Sequence, residues 1–125
     1  MTCPCRGAAD ALPYDACCGR YHAGSPAPTA EALMRSRYSA FVLDELDYLL
    51  ATWHASTRPG SLAPNRPGSK WLGLEVRRHQ PIDTDHATVE FVARHTFGGR
   101  AERLHEISRF VREQGRWFYV DADPS

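Results

Sequence analysis

Apolar positions recur at helical spacing in one part of the chain and at every second residue in another. From Ala30 to Leu43, Leu33, Met34, Tyr38, Phe41 and Val42 keep the helical period. Thr29 stands as N-cap after Pro28, and Glu31 places a negative charge in the first turn, where the helix dipole favours it. Asp44 is positioned to cap a second helix, from Glu45 to about Trp53, on which Leu46, Leu49, Leu50 and Trp53 form one stripe. Residues 55–69 hold Pro59, Pro64, Pro67, Gly60 and Gly68 and read as a loop. Such a loop is longer than most connections, which marks it as a candidate mobile or functional segment.

Beyond the loop the period becomes two. Leu72, Leu74 and Val76 share a face of a strand over Lys70–His79, and Val89, Phe91, Ala93, His95 and Phe97 share a face of one over Thr88–Phe97. Gly98-Gly99 predicts a hairpin turn into a long strand over Ala101–Glu113, with Leu104, Glu106, Ser108 and Phe110 together on one side. Gln114-Gly115 turns the chain once more into Arg116–Asp121. Helices followed by an antiparallel meander predict an α+β layer fold, with the N-terminal helices on one side of the sheet.

The first 28 residues follow neither period, and their content is chemical. All four cysteines fall there, as Cys3-Pro4-Cys5 and Cys17-Cys18-Gly19. Two pairs of soft ligands brought together by a short loop suit a tetrahedral metal site, and Gly19 permits a sharp turn that faces the second pair inward. Disulfides or free, redox-active thiols are the alternatives. His22, four residues after Cys18, is a candidate replacement ligand or a neighbour of the site. Gly24-Ser25-Pro26-Ala27-Pro28 is a non-helical linker, so the chain divides into a metal-binding segment with its linker at 1–28 and a second unit at 29–125.

Composition narrows the function. Fifteen basic and fifteen acidic residues balance to a formal net charge of zero, which argues against a nucleic-acid partner bound by neutralising its phosphates. The start Met1-Thr2-Cys3-Pro4 lacks the apolar region of a signal peptide, and no run of about 18 apolar residues would span a membrane. A cytoplasmic location is expected, where clustered cysteines read as metal ligands before disulfides.

The order of motifs is specific. Cys-Pro-Cys, Cys17-Cys18-Gly19-Arg20-Tyr21, Leu33-Met34-Arg35-Ser36-Arg37-Tyr38-Ser39-Ala40-Phe41-Val42, Thr52-Trp53-His54 and Trp71-Leu72-Gly73-Leu74 resemble the YchJ family of bacterial proteins. The likeness continues through Val89-Glu90-Phe91-Val92-Ala93-Arg94, Glu106-Ile107-Ser108-Arg109-Phe110-Val111 and Trp117-Phe118-Tyr119-Val120-Asp121. The resemblance implies a cone-shaped sheet of the nuclear-transport-factor-two-like (NTF2-like, cystatin-like cone) kind. It also implies an N-terminal SEC-C-like motif, similar to the zinc-binding tail of the preprotein translocase ATPase. Its metal ligands would be Cys3, Cys5, Cys17 and Cys18, holding Zn²⁺ or, as an alternative, iron. The family's loop between cysteine pairs usually carries a basic cluster, which Arg6-Gly7-Ala8-Ala9 lacks, and no second SEC-C copy is seen by Asp123-Pro124-Ser125. No activity comes with the family.

Two functions follow as expectations. In the first, a zinc-stabilised knuckle of structural role docks a protein partner, and the cone is a scaffold with a small-molecule pocket. Four thiolates leave no open position for a catalytic water, in keeping with that role. In the second, the cone is an isomerase, dehydratase or hydrolase with Glu106 or His54 as acid or base. The sequence leans away from an enzyme, because it holds no nucleophile with an evident base and no phosphate loop. Arg35, Arg37, Tyr38, Trp53, Trp71, Ser108 and Tyr119 are candidate pocket residues, with Trp117 a further aromatic. Arg35 and Arg37 lie two apart on a helix, so at most one points inward, and Glu106 or Asp121 is the expected partner in a buried ion pair.

Overall fold

The structure is a computed structural model that describes residues 1–123, so Pro124 and Ser125, the last two residues of the expected second unit, lie outside the described residues. Four strands follow three short or medium helices: α1 (Cys18–His22), α2 (Ala30–Leu43), α3 (Leu46–Ala51), β1 (Ser69–Asp83), β2 (His86–Phe97), β3 (Arg100–Glu113) and β4 (Arg116–Ala122). The strands form one antiparallel sheet in the order β1-β2-β3-β4. Helices packed on one side of this open meander make the expected α+β architecture.

Local chemistry sets most boundaries. Thr29 caps α2 as its pattern predicts, its Oγ1 accepting from the Ala32 N–H at 3.0 Å. Gly98 and Gly99 both take positive φ at the β2–β3 turn, where a two-residue hairpin demands it. Asp44 behaves otherwise than expected. It ends α2 in the left-handed region (φ 55) and leaves α3 without a side-chain cap. Its Oδ1 instead accepts from the Asn65 backbone N–H (2.9 Å) and from Nδ2 (3.0 Å). Asn65 also donates to Phe41 O and accepts from Trp71 Nε1, so the long loop is tied to both the helix end and the sheet.

The face expected of β1 is also corrected. Trp71 pairs with His95 and Gly73 with Arg94, so Leu72 is the extra residue of a bulge. Parity slips there. Leu74 and Val76 pack toward the core with Trp71, while Leu72 is exposed. Helix α3 stops at Ala51 rather than Trp53, because the chain joins the free edge of β4: His54 N donates to Tyr119 O (2.7 Å), and Tyr119 N donates to Thr52 O (2.8 Å).

Helix α2 sits at the centre. Its residues Leu33, Met34, Arg37 and Tyr38 are buried, and so are Ser36, Ser39 and Ala40, which the apolar stripe omits. The sheet covers one flank of the helix and the cysteine segment covers another. The cysteines, Leu33, Met34, Tyr38, Val89, Phe91 and Phe110 accordingly belong to one continuous core.

Candidate metal centre and cone cavity

The cysteine segment is short of hydrogen-bonded structure. Two 3₁₀ turns (Ala8–Asp10 and Tyr14–Ala16) and α1 are held by an isolated bridge in which Cys3 N donates to Leu12 O and Tyr14 N to Met1 O, each at 2.8 Å. Gly19 serves by its size rather than by a turn. A Cβ there would lie 2.8 Å from Tyr14 O and 2.9 Å from the Tyr14 ring. The chain reverses at Cys17 instead (φ −128, ψ −114) and carries Cys18 into α1.

These turns bring all four cysteines together, buried, with their sulfurs within 4.8 Å of one another. Cys5 Sγ lies 3.7 Å from Cys3, 3.6 Å from Cys17 and 3.5 Å from Cys18. Disulfide bonding needs about 2.05 Å, and all four are free thiols. A tetrahedral thiolate site with metal–sulfur bonds of about 2.3 Å has sulfur–sulfur edges of about 3.8 Å. The donor set, its spacing and its burial therefore fit a metal ion, which would close the loops that carry the ligands.

The surrounding charges fit as well. Four thiolates with a divalent cation leave a net negative charge, and two guanidiniums stand beside it. Cys17 raises the Arg6 pKa above its usual value, and the buried Arg6 Nε has no hydrogen-bond partner among the described residues. Arg35 donates from Nη1 to Cys5 O (3.0 Å) and pairs through Nε with Glu31 (3.0 Å). As a thiol, Cys5 is held down to about 5, chiefly by the hydrogen bond from Cys18, whereas that same bond and burial push Cys18 up. Before any metal binds, the cluster favours one thiolate, at Cys5, while Cys17 and Cys18 are both raised, so a metal ion would have to displace the remaining protons.

Helix α2 receives the knuckle through small and polar groups. Ser39 Oγ lies 3.5 Å from Cys3 Sγ. Both ring nitrogens of His22 are engaged outside the sulfur cage: Nδ1 meets the Tyr14 hydroxyl at 2.5 Å and Nε2 meets Ser36 O at 2.8 Å. The imidazole is a strut between segment and helix. Arg6, Ser36 and Ser39 escaped the sequence reading. Arg6 directly after Cys5 was the available signal, while the two serines carry none until the helix is seen to be covered on that side.

On the other flank of α2 lies a cavity of about 240 Å³. Arg37, Tyr38, Trp53 and Trp71 line it, together with Glu106, Ser108 and Tyr119. Arg35 does not reach it, being turned toward the knuckle. His54 does not reach it either, because its Nε2 pairs with Glu113 (3.0 Å) and its Nδ1 with Ser56 (2.7 Å) beyond the edge of β4. Trp117 lines a different, smaller hollow beside Tyr21 and Pro26.

The expected ion pairs are absent. Asp121 pairs with Arg109 at 2.6 and 2.8 Å on the exposed side of the sheet. Arg37 instead donates from Nη1 to Leu49 O (2.8 Å) and Thr52 Oγ1 (2.7 Å), with its guanidinium 5.2 Å from the Trp53 ring and 4.7 Å from the Tyr119 ring. Burial lowers its pKa to about 10, which keeps it charged at neutral pH. Glu106 accepts from Ser108 Oγ at 2.5 Å. Burial pushes the Tyr119 phenol up to about 12, with Glu106 adding to the effect, so it remains a neutral hydroxyl.

Residues 29–122 match the family described as "YchJ, middle NTF2-like domain". The UPF0225 protein of Methylibium petroleiphilum is 62% identical over 125 residues, covering 98% of this chain and 88% of that protein. That of Bordetella pertussis is 62% identical over 124 residues, covering 97% and 91%. Two solved structures are similar throughout. A SEC-C motif containing protein from Psychrobacter arcticus has a TM-score of 0.80 at 32% identity, covering 100% of this chain and 82% of that one. The SEC-C motif containing protein RPA3114 from Rhodopseudomonas palustris has a TM-score of 0.82 at 31% identity, covering 100% and 99%. Among the described residues no helix is long and apolar enough to cross a membrane.

Proposed function

The chain belongs to the YchJ family, and from that premise we propose that it is a zinc-stabilised binding module. Cys3, Cys5, Cys17 and Cys18 hold one Zn²⁺ in a structural role, and the cone cavity takes a small molecule. The observation that carries this reading is the buried cage of four sulfurs, each within 4.8 Å of the others. A fully thiolate shell has no open position for water, so the ion organises the segment rather than reacting. The knuckle, which leaves Met1 and Leu12 exposed beside the cage, is the face offered to a protein partner. The cytoplasm is the setting proposed for it, where thiols stay reduced.

One observation favours a second reading. Glu106 faces the cavity with Ser108 and Tyr119 beside it, so an isomerase, dehydratase or hydrolase would use Glu106, and not His54, as its acid or base. The binding reading is preferred because, among the described residues lining the cavity, the Ser108 hydroxyl is held by the Glu106 carboxylate and no histidine or lysine stands by to activate it as a nucleophile.

Elemental mass spectrometry on untagged protein purified without oxygen, with thiols counted in parallel, tests the metal. One equivalent of zinc and four protected thiols is the expected result. One equivalent of iron would keep the cage and replace the metal. Four reactive thiols and no metal would remove the basis for the proposal.

A further inference from the structure

The cavity beside α2 holds two opposite charges that do not satisfy each other. Arg37 is 5% exposed and lines the cavity together with Glu106. Among the described residues Arg37 forms no ion pair, and its protein hydrogen bonds all leave from Nη1. Among the described residues neither Nε nor Nη2 has a protein acceptor, and neither is a sealed-off orphan, so both are open to a group in the cavity. Glu106 spends one oxygen on Ser108 and touches the Tyr119 hydroxyl, which leaves acceptor capacity on a carboxylate that offers about four lone-pair positions. Charge on a buried guanidinium and a half-buried carboxylate is costly unless water or another group completes its hydrogen bonds.

The missing group must accept from a guanidinium and donate to a carboxylate. A carboxylate ligand would satisfy Arg37 but meet Glu106, and an ammonium would satisfy Glu106 but meet Arg37. Because the two formal charges in the cavity cancel, a neutral group carrying an acceptor beside a donor suits both. The walls define the rest of the ligand: Tyr38, Trp53, Trp71 and Phe110 are flat and apolar, the setting for a planar ring. Resting on the reading of this cavity as a ligand site, we propose that it binds a neutral planar molecule with an amide-like edge, such as an aryl amide or lactam heterocycle. In that complex the carbonyl oxygen faces Arg37, the N–H faces Glu106, and the ring lies among the aromatic walls.

The three tryptophans make the test direct. Trp53 and Trp71 line the cavity, with their indole N–H groups held by Thr57 and Asn65, and Trp117 lies elsewhere and serves as an internal reference. Titrations of ¹⁵N-labelled protein with benzamide, benzoate, benzylamine and toluene are followed through the indole resonances. Benzamide is expected to shift Trp53 and Trp71 but not Trp117. It should bind at least about tenfold more tightly than the other three, because each of them lacks a hydrogen bond or brings a repelled charge.

Glu106→Gln removes the negative charge and keeps the shape, so benzoate should then overtake benzamide. If toluene binds as well as benzamide in the wild-type protein, the ligand class is overturned and the cavity survives as an apolar site. If no probe moves Trp53 or Trp71, the class and the small-molecule reading both fall. The wild-type series decides the matter even if the Glu106→Gln variant does not fold.

Discussion

The cysteine segment and the cone solve the problem of holding a chain together in different ways. Among the described side chains of residues 1–28, only the four cysteines and Ala27 are buried. The cone buries Leu33, Met34, Tyr38, Leu49, Val89, Phe91 and Phe110, and its strands satisfy one another's backbones across three antiparallel pairings. One region gathers four sulfur donors that could hold a metal ion, and the other is closed by apolar area. They are nonetheless not independent, since α2 is packed by both, with Ser39 and the Ser36 carbonyl toward the knuckle and Arg37 and Tyr38 toward the cavity. The difference teaches that a small segment can borrow a core, provided that its neighbour supplies a face of small residues.

Cys5→Ser breaks the comparison most severely. Cys5 Sγ is in reach of all three other sulfurs, so metal content should fall to near zero, and the resonances of residues 1–28 should collapse toward random-coil values. Because the cysteines share the cone's core, the melting temperature of the remaining fold should fall too. A cone that melts unchanged would show that the two regions are energetically separate.

Leu49→Ala tests the other side. Leu49 is 0% exposed, and deleting a fully buried leucine side chain costs about 2–5 kcal/mol, readable by urea denaturation. Metal content in the folded protein should remain at the wild-type level, since Leu49 is outside the core cluster that holds the four cysteines. Loss of the metal at concentrations where the variant is folded would mean that the knuckle depends on α3 more closely than its contacts indicate.

The strut between the regions should matter less. His22→Ala removes two hydrogen bonds, worth about 1 kcal/mol each, and should destabilise the protein without lowering metal stoichiometry. A loss of metal would make His22 a ligand after all.

The smallest effect belongs to the sheet surface. The hydrogen bond from Arg109 holds the Asp121 carboxyl below its usual value. A carboxyl with a depressed folded pKa contributes stability above its unfolded pKa of 3.8, and loses it as pH falls through the lower folded value. Solvent screening keeps the contribution of this exposed pair small. Arg109→Ala should flatten the acid limb of the stability curve below pH 4 and leave stability at high salt almost unchanged.

Much of the architecture was legible because it is written in local chemistry. Periodicity located α2 and the four strands, Thr29 and Gly98-Gly99 marked a start and a turn, and the crowding of four cysteines announced the cage. Face assignment was readable except where the ladder breaks: the bulge at Leu72 leaves no mark in an alternation that counts residues, so the exposed leucine was expected inside. Asp44 was misread for a related reason. Its identity suits a helix start, but α2 needs a left-handed terminator at that point, and the distant Asn65 supplies the partner that holds it.

What the amino-acid sequence determined by itself was the set of elements, their order and the identity of the sulfur donors, since each depends on residues close together in the chain. Tertiary structure alone decided which charges meet. Arg37 and Glu106 are 69 residues apart by their numbering and were expected to pair; they face one cavity without pairing, because Leu49 and Thr52 hold the guanidinium and Ser108 holds the carboxylate. Arg35 and His54, expected at the same pocket, are drawn off to Cys5 and Glu113. Charged side chains are long and accept any partner within reach, so their pairing is settled only when packing has fixed which groups are near.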